Sequence, residues 1–493
     1  MYKLLFTLVT FLLSTTLCFA IGKSLNNGLA LAKIKVLTVK DFPTIKWDDK
    51  TIYVLPSIPP TIKPIAGVLT VGSGSMISHV QLLCRALGIP NSNITKNEYE
   101  KLKELDGKEV LYVAYGKNEA IVKKTEEISE NEQNLIKKYL SGTSFEPITL
   151  PSPNLSYTSI TNLDDITNTD SGILSGPKAA NLGFLKKLFP KRVADGFVLP
   201  FGLVNQIFKD QGIHEHIKKL SSLTNQTQIL AQLKLIATQI EALTIPYNIL
   251  SEIQSRSAIL LKENNGAGLF IRSDTNVEDL AQFSGAGLNK TIPNVIKIEE
   301  IEAAIKSVWA SPWSERSHAW RSKYIKNPEA ILPSVLIMKS VNAKKAGVMA
   351  TMNFETGSTD DLFVSSNEGL GFKVVDGLET PEQLLVYNGE GTIEDRTELI
   401  NMAYAKTQFV LDNEKGGIKE VATTLDEILT ANEVSQLEKI VNKIKIETKF
   451  KLPFESEFGV TSDGQIQLFQ IRPLILSGNE NTNAILRKFF QEL

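Results

Sequence analysis

The run Gly72-Ser-Gly-Ser-Met-Ile-Ser-His79-Val-Gln-Leu-Leu-Cys-Arg-Ala-Leu-Gly88-Ile-Pro90 most narrows what this chain can fold into. Two apolar segments precede it, Thr51-Ile-Tyr-Val-Leu55 and Ile65-Ala-Gly-Val-Leu-Thr-Val71, and both read as buried strands. The connector between them, Pro56-Ser-Ile-Pro-Pro60, excludes a helix, because proline lacks the amide donor a helix interior needs. After the Gly/Ser loop, Val80, Leu83, Cys84 and Leu87 recur at helical spacing, and Gly88 and Pro90 stop the helix. His79 therefore falls in a first helical turn, where unpaired N–H groups and the helix dipole favour an anion. An imidazole placed there can attack phosphorus and keep the phosphoryl group it gains. The same place also suits a helix-capping or surface histidine. A helix around Asn97 to Leu105 and the strand Glu109-Val-Leu-Tyr-Val-Ala114 follow. Residues 46–125 thus read as a compact β/α domain, with 21–45 as a lead-in.

Met1 to Ala20 has the build of a secretory leader (residues 1–20): Lys3 at the charged end, an apolar core from Leu4 to Leu13, and small residues around Cys18-Phe-Ala20. It is short and rich in Thr and Ser for a membrane span. The mature chain is therefore expected to be exported, periplasmic or secreted, and not held by a membrane. The formal net charge of -2 gives no global basic field, so nucleic acid is not an expected partner. Of the two cysteines, Cys18 lies in the leader, which leaves Cys84 alone and no internal disulfide. The length of 493 residues suits about three domains.

Residues 126–170 are polar, with Pro147, Pro151 and Pro153 and many Ser, Thr and Asn, and read as a linker. If flexible, it would reach roughly 35–40 Å. Beyond it, Ser175-Gly-Pro-Lys178 presents a lysine just ahead of an apolar helix, Leu182 to Phe189. Asn205 to about Lys262 reads as mostly helical, with a break near Pro246. A buried strand then ends in Arg272-Ser-Asp, followed by Glu278-Asp279 and a Gly/Ser-rich loop. Arginine matches phosphate oxygens in a bidentate way, and such a loop lets backbone N–H groups close over a polyphosphate. Arg316 lies at a helix boundary and offers a further cation. Phe454-Glu-Ser-Glu457 and Gln470-Ile-Arg472-Pro form the arms of a hairpin in which Glu457 and Gln470 can face each other, oxygen donors that suit Mg²⁺. The tail from 477 to 493 reads as a surface helix.

Gly-Pro-Lys178-Ala-Ala-Asn-Leu, Ile-Arg272-Ser-Asp-Thr-Asn-Val-Glu278-Asp-Leu, Val-Trp-Ala-Ser-Pro-Trp-Ser-Glu-Arg316 and Gln470-Ile-Arg472-Pro together resemble the nucleotide-binding domain of the dikinase family. That family contains phosphoenolpyruvate synthase, pyruvate phosphate dikinase and the glucan, water dikinases. Ala66-Gly-Val-Leu-Thr with Ser78-His79 and Ala86-Leu-Gly-Ile-Pro90 resembles its swivelling phosphohistidine domain. The order, histidine domain first, resembles the glucan, water dikinases. The fold this implies is α/β and α+β, a small swivelling β/α phosphohistidine domain followed by an ATP-grasp domain over 171–476. The resemblance implies ATP and Mg²⁺, with Lys178, Arg272, Glu278, Asp279, Met338 and Arg472 at the nucleotide, Glu457 and Gln470 at the metal, and His79 and Arg316 in the chemistry. His79 would take the β-phosphoryl group of ATP, leaving AMP and phosphate, and pass it to a small-molecule or glycan acceptor. Two positions depart from the family pattern. Phe372 stands where Gly-Leu-Gly is commonly followed by Glu, and Met338 where Gln usually ends the strand near adenine. Phe372 also suits an alternative, a nucleotide-binding or regulatory protein of the same fold without turnover.

Overall fold

The computed structural model describes residues 19–491 except 58, 60–61, 73–77, 117–118, 143–146, 279, 281–282, 284, 286, 425–427, 448–452 and 475–479. The first body is built on eight strands: β1 (Phe19–Ile21), β2 (Lys23–Asn26), β3 (Gly28–Val36), β4 (Thr51–Leu55), β5 (Gly67–Val71), β6 (Asn91–Ile94), β7 (Glu109–Ala114) and β8 (Ala120–Lys124). Their order is β1-β8-β7-β3-β4-β5-β6-β2, and β3 to β6 run parallel. β4 is buried at every residue, as a central parallel strand covered on both faces must be. Helix α1 (His79–Ala86) crosses from β5 to β6, and α2 (Lys96–Leu102) precedes β7.

The sheet starts earlier than residue 46. The stretch 21–45 supplies β2 and β3, and β3 is the partner that joins β4 to β7. β3 carries a strand-like run of its own, Gly28-Leu-Ala-Leu-Ala-Lys-Ile-Lys-Val36, and pairs with β4, the next strand, as well as with β7. Residues 126–170 are not an open tether either. They contain α3 (Glu130–Gly142), then a bridge from Ile148 to Ile325, and a short strand β9 (Thr161–Asn162) paired with β10 (Gly196–Leu199).

The second body holds two sheets. One, in the order β12-β11-β13-β10-β9, joins β11 (Leu269–Thr275), β12 (Thr291–Val295) and β13 (Pro333–Lys339) to β9 and β10. It is backed by α4 (Pro177–Leu188), α5 (Phe201–Asp210), α6 (Ile213–Ser221), α7 (Gln226–Ala242), α8 (Tyr247–Lys262), α9 (Ile298–Ala310) and α10 (Glu315–Tyr324). Pro246 breaks the helical run as expected, and Gly212 at φ 71 adds a second break. Lys178 lies inside the first turn of α4, because Pro177 opens the helix. The other sheet, in the order β17-β16-β15-β14-β20-β21, comprises β14 (Lys345–Ala350), β15 (Leu362–Glu368), β16 (Glu382–Val386), β17 (Thr397–Asn401), β20 (Phe454–Val460) and β21 (Ile466–Pro473). Short helices α11 (Phe372–Val375) and α12 (Ile393–Arg396), the ribbon β18 (Thr407–Leu411) and β19 (Ile418–Ala422), and α13 (Ala431–Glu447) complete it.

The last helix, α14 (Glu480–Phe489), is not a free surface helix. It buries Leu486 and Phe489 against α3 and the first sheet, beside Leu29, Leu111, Ile136 and Tyr139.

The two bodies meet over an apolar seam. Tyr53, Leu55, Ile62, Val80 and Leu83 of the first pack with Phe283, Leu288, Trp320 and Tyr324 of the second. The Trp320 indole N–H donates to the Ile62 carbonyl at 3.0 Å. Ion pairs Lys63–Glu315 (2.5 Å) and Lys323–Asp49 (2.9 Å) rim the seam. Such rim pairs contribute about 0–1 kcal/mol each, against about 1.5–3 kcal/mol for each large apolar side chain fully buried. The seam therefore rests on its apolar part.

Candidate active site

His79 opens α1. Ser78 before it is extended and buried, and the helix ends as the sequence predicts, with Gly88 at φ +63 and the Ile89 amide donating to the Cys84 carbonyl at 2.9 Å. Val80, Leu83 and Cys84 face the apolar seam, and burial pushes the Cys84 thiol up to about 12. Three residues on from His79, Leu82 packs against Val348, Ala350 and Phe363 of the second sheet. Three further on, the Arg85 guanidinium lies 4.5 Å above the Phe354 ring, and burial pulls its pKa down to about 10. One helix face thus carries His79, Leu82 and Arg85 into the second body.

There His79 lines a cavity of about 270 Å³, shared with Lys178, Arg272, Met338, Glu457, Gln470 and Arg472. Seven of the ten residues picked from sequence therefore converge here. The His79 Nδ1 atom stands 3.3 Å from Asp376 Oδ1. The same Nδ1 edge packs against Gly287, at φ +65, where an added Cβ would come within 2.6 Å of Nδ1. Glycine alone leaves room for the ring.

Lys178, Arg272 and Arg472 are each held by a fixed partner. Lys178 Nζ pairs with Glu278 at 3.1 Å and reaches the Ser273 hydroxyl at 3.4 Å. Arg272 spans the two sheets: Nη1 donates to the Phe469 carbonyl at 2.7 Å and Nη2 to Gln470 Oε1 at 3.0 Å. Arg472 Nε donates to Glu455. Glu457 and Gln470 are opposed across the hairpin, as read from the sequence. Asp274, which no motif reading singled out, caps α4 from the neighbouring strand. It accepts from the Gly176 and Ala179 amides at 2.8 and 2.9 Å and from the Ser334 hydroxyl at 3.0 Å. Burial raises its pKa to about 6. The signal was present in Arg-Ser-Asp, but the helix it caps lies 95 positions away.

Two residues picked from sequence stand elsewhere. Glu278 is 1% exposed and does not reach the cavity; it is the counter-ion of Lys178. Burial opposes its charge, but Lys178 and the Thr275 amide hold its pKa below the usual value. Arg316 also lies behind the wall, donating from Nη1 to the Gly287 carbonyl at 2.9 Å. It steadies the glycine against which His79 rests, and burial lowers its pKa while Asp376 acts in the opposite sense. Asp279 lies outside the described residues.

Part of the cavity wall is apolar. Met338, Phe270, Val341, Leu370, Phe372 and Phe469 line it. Phe372 opens α11 with its ring centroid 6.5 Å from those of Phe270 and Phe409. Lys339 at the rim is engaged by Asp195 and Glu263 at 2.8 and 2.9 Å. Among the described residues no group of three or more His, Cys, Asp and Glu side chains could hold a metal ion. Glu457 and Gln470 fit Mg²⁺ as a partial set, since that ion commonly takes one or two protein oxygens and completes its shell with phosphate and water.

Residues 173–492 match the family model described as the pyruvate phosphate dikinase AMP/ATP-binding domain. The chain belongs to this family. Its two sheets flanking a cleft are accordingly an ATP-grasp nucleotide-binding domain in an α/β and α+β chain. A probable phosphoenolpyruvate synthase of Pyrococcus horikoshii is 26% identical over 289 residues, covering 55% of this chain and 34% of that protein. The phosphoenolpyruvate synthase of Pyrococcus furiosus is 27% identical over 260 residues, covering 50% and 31%. An uncharacterized phosphotransferase of Bacillus subtilis, YvkC, is 26% identical over 325 residues, covering 65% and 36%. The chain thus spans about a third of the length of these curated relatives. Within the dikinase family frame, Phe372 adds a ring to an aromatic wall where a polar contact is commonly placed.

Proposed function

We propose that this chain is an ATP-dependent, dikinase-type phosphotransferase working through a phosphohistidine at His79. The observation that carries the reading is that His79, from a separate body, enters the same cavity as Lys178, Arg272 and Arg472. Phosphoryl transfer asks a protein chiefly for positioning and for charge placed where charge develops, and this cavity offers both. The three cations would bind the polyphosphate, and the apolar part of the wall would take the base. Glu457 and Gln470 would hold Mg²⁺, which when bound neutralises phosphate charge. The imidazole electron pair forms a bond to the β-phosphorus, and the bond to the AMP oxygen breaks with its pair leaving on AMP. Water releases the γ-phosphate, so ATP and water yield AMP, phosphate and phospho-His79. The phospho-His79 body would then turn out to serve an acceptor, a small molecule or a glycan. The leader-like residues 1–20 support export to a periplasmic or external site, where ATP must be supplied locally. No helix among the described residues is long and apolar enough to cross a membrane.

The test is incubation of the protein with β-³²P-ATP and Mg²⁺. Acid-labile, base-stable label with one AMP per site is expected, and His79→Ala should abolish label while nucleotide affinity stays within about threefold, since the ring is not among the phosphate cations. A folded protein that binds ATP yet yields neither label nor AMP would favour a binding module and point to Phe372.

A further inference from the structure

We propose that Asp376 is the positioning residue of the phosphohistidine: it holds His79 in one tautomer and supports the charge the ring acquires. This rests on the reading of His79 above. Asp376 closes α11, its amide donating to the Phe372 carbonyl at 2.9 Å, so the carboxyl is presented by a turn anchored on the second sheet. Its Oδ1 lies 3.3 Å from His79 Nδ1. The pair stands at ion-pair distance; a carboxylate only accepts, so closing it to a hydrogen bond calls for the proton on Nδ1 and leaves the electron pair on Nε2. Gly287 packs on the Nδ1 edge and blocks the ring from sliding away, while Arg316 ties down the Gly287 carbonyl and lies near enough to feel Asp376.

The reacting atom is therefore Nε2. Its electron pair goes to the β-phosphorus, the AMP oxygen leaves with the pair of the bond that breaks, and the ring becomes cationic with its proton still on Nδ1. Asp376 stabilises that cation across the ion-pair contact and accepts a hydrogen bond from Nδ1 as the ring becomes charged. The contact joins the two bodies and is half exposed, with Asp376 46% accessible, so it exists only while His79 is docked. The carboxyl belongs to the nucleotide-binding body and acts on the transfer from ATP, not on later delivery of the phosphoryl group.

The experiment compares wild type, Asp376→Asn, Asp376→Glu and Asp376→Ala by single-turnover labelling with β-³²P-ATP, and determines which ring nitrogen carries phosphorus by ³¹P NMR. Wild type should carry it on Nε2. Asp376→Ala should label about 100-fold more slowly, the low end for a positioned partner because the carboxyl is half exposed, and should lose selectivity between the nitrogens. Asp376→Asn retains an acceptor without the charge, so it should keep the Nε2 product at an intermediate rate, and Asp376→Glu should recover most of the rate. ATP affinity should be unchanged throughout. Labelling of Asp376→Ala at the wild-type rate, or phosphorus on Nδ1 in wild type, would overturn the proposal and leave the dikinase reading intact. Absence of any label on folded, ATP-binding wild type overturns both.

Discussion

The end of the cavity that carries Lys178, Arg272 and Arg472 and the end that carries His79 are built on opposite principles. At the first, each cation is fastened by buried oxygen: Lys178 by Glu278, Arg272 by Gln470 and a main-chain carbonyl, Arg472 by Glu455. These groups stand ready before any ligand arrives, which spares the reorganisation that would otherwise oppose binding. At the other end His79 is held from the opposing body by one half-exposed carboxylate and by the shape of a glycine. On the proposed function, a contact of that kind is weak enough to be exchanged on each cycle. The difference teaches that the groups proposed to stay are fixed firmly and the group proposed to leave is held lightly.

The strongest way to break the comparison is Lys178→Met. It should lower ATP affinity at least about 100-fold, and it also strands Glu278 as an unpaired buried charge, costing about 3–5 kcal/mol of stability. Adding Glu278→Gln should restore most of the stability, read as the urea midpoint, but not the affinity, read by calorimetry. If the double variant binds ATP normally, Lys178 is a structural cation only.

Gly287→Ala comes next. The new Cβ would clash with Nδ1, so autophosphorylation should fall about 10-fold or more while ATP binding is nearly retained; the left-handed backbone there adds about 1 kcal/mol of strain. Equal losses in labelling and binding would show that the loop, and not the ring, was disturbed. Leu82→Ala should weaken the docked state through a contact remote from ATP, costing about 2–3 kcal/mol of packing, and would be read as slower labelling at unchanged ATP affinity.

The smallest effect is on pH. Burial raises the pKa of the Cys84 thiol from 9.0 to about 12, and burial likewise raises the Tyr112 and Tyr324 phenols. The folded state then holds protons that the unfolded chain gives up, so their stabilisation is complete below pH about 9 and is lost as pH climbs toward 12. The urea midpoint should be level from pH 7 to 9 and decline beyond, and Cys84→Ser should soften that decline. Native Cys84 should resist alkylation at pH 8 and react once unfolded.

Much of this was legible in the sequence where local pattern and chemistry coincide. The Gly88 stop, the β4 and β7 runs and the opposition of Glu457 with Gln470 follow from spacing and turn residues alone. Facing could not be read. Glu278 sits in the same motif run as the lining residue Arg272, and Arg316 in a run that contributes no lining residue; only the packed strand and helix show that both point behind the wall. Asp376 lies in a stretch without a distinctive pattern and matters because another body brings His79 to it. Of the strands in 21–45, β3 pairs with the next strand, β4, and with the distant β7, while β2 pairs with the distant β6.

That distance bears on how the molecule is made. The core of the first body is closed by Leu486 and Phe489, and Asn27 donates to Asn483 across 456 positions. During synthesis the first body can be completed only after α14 has emerged, while the nucleotide-binding body that precedes α14 can settle earlier. Until then Leu29, Leu111, Ile136 and Tyr139 lack their cover, and nascent chains are most prone to association through that face.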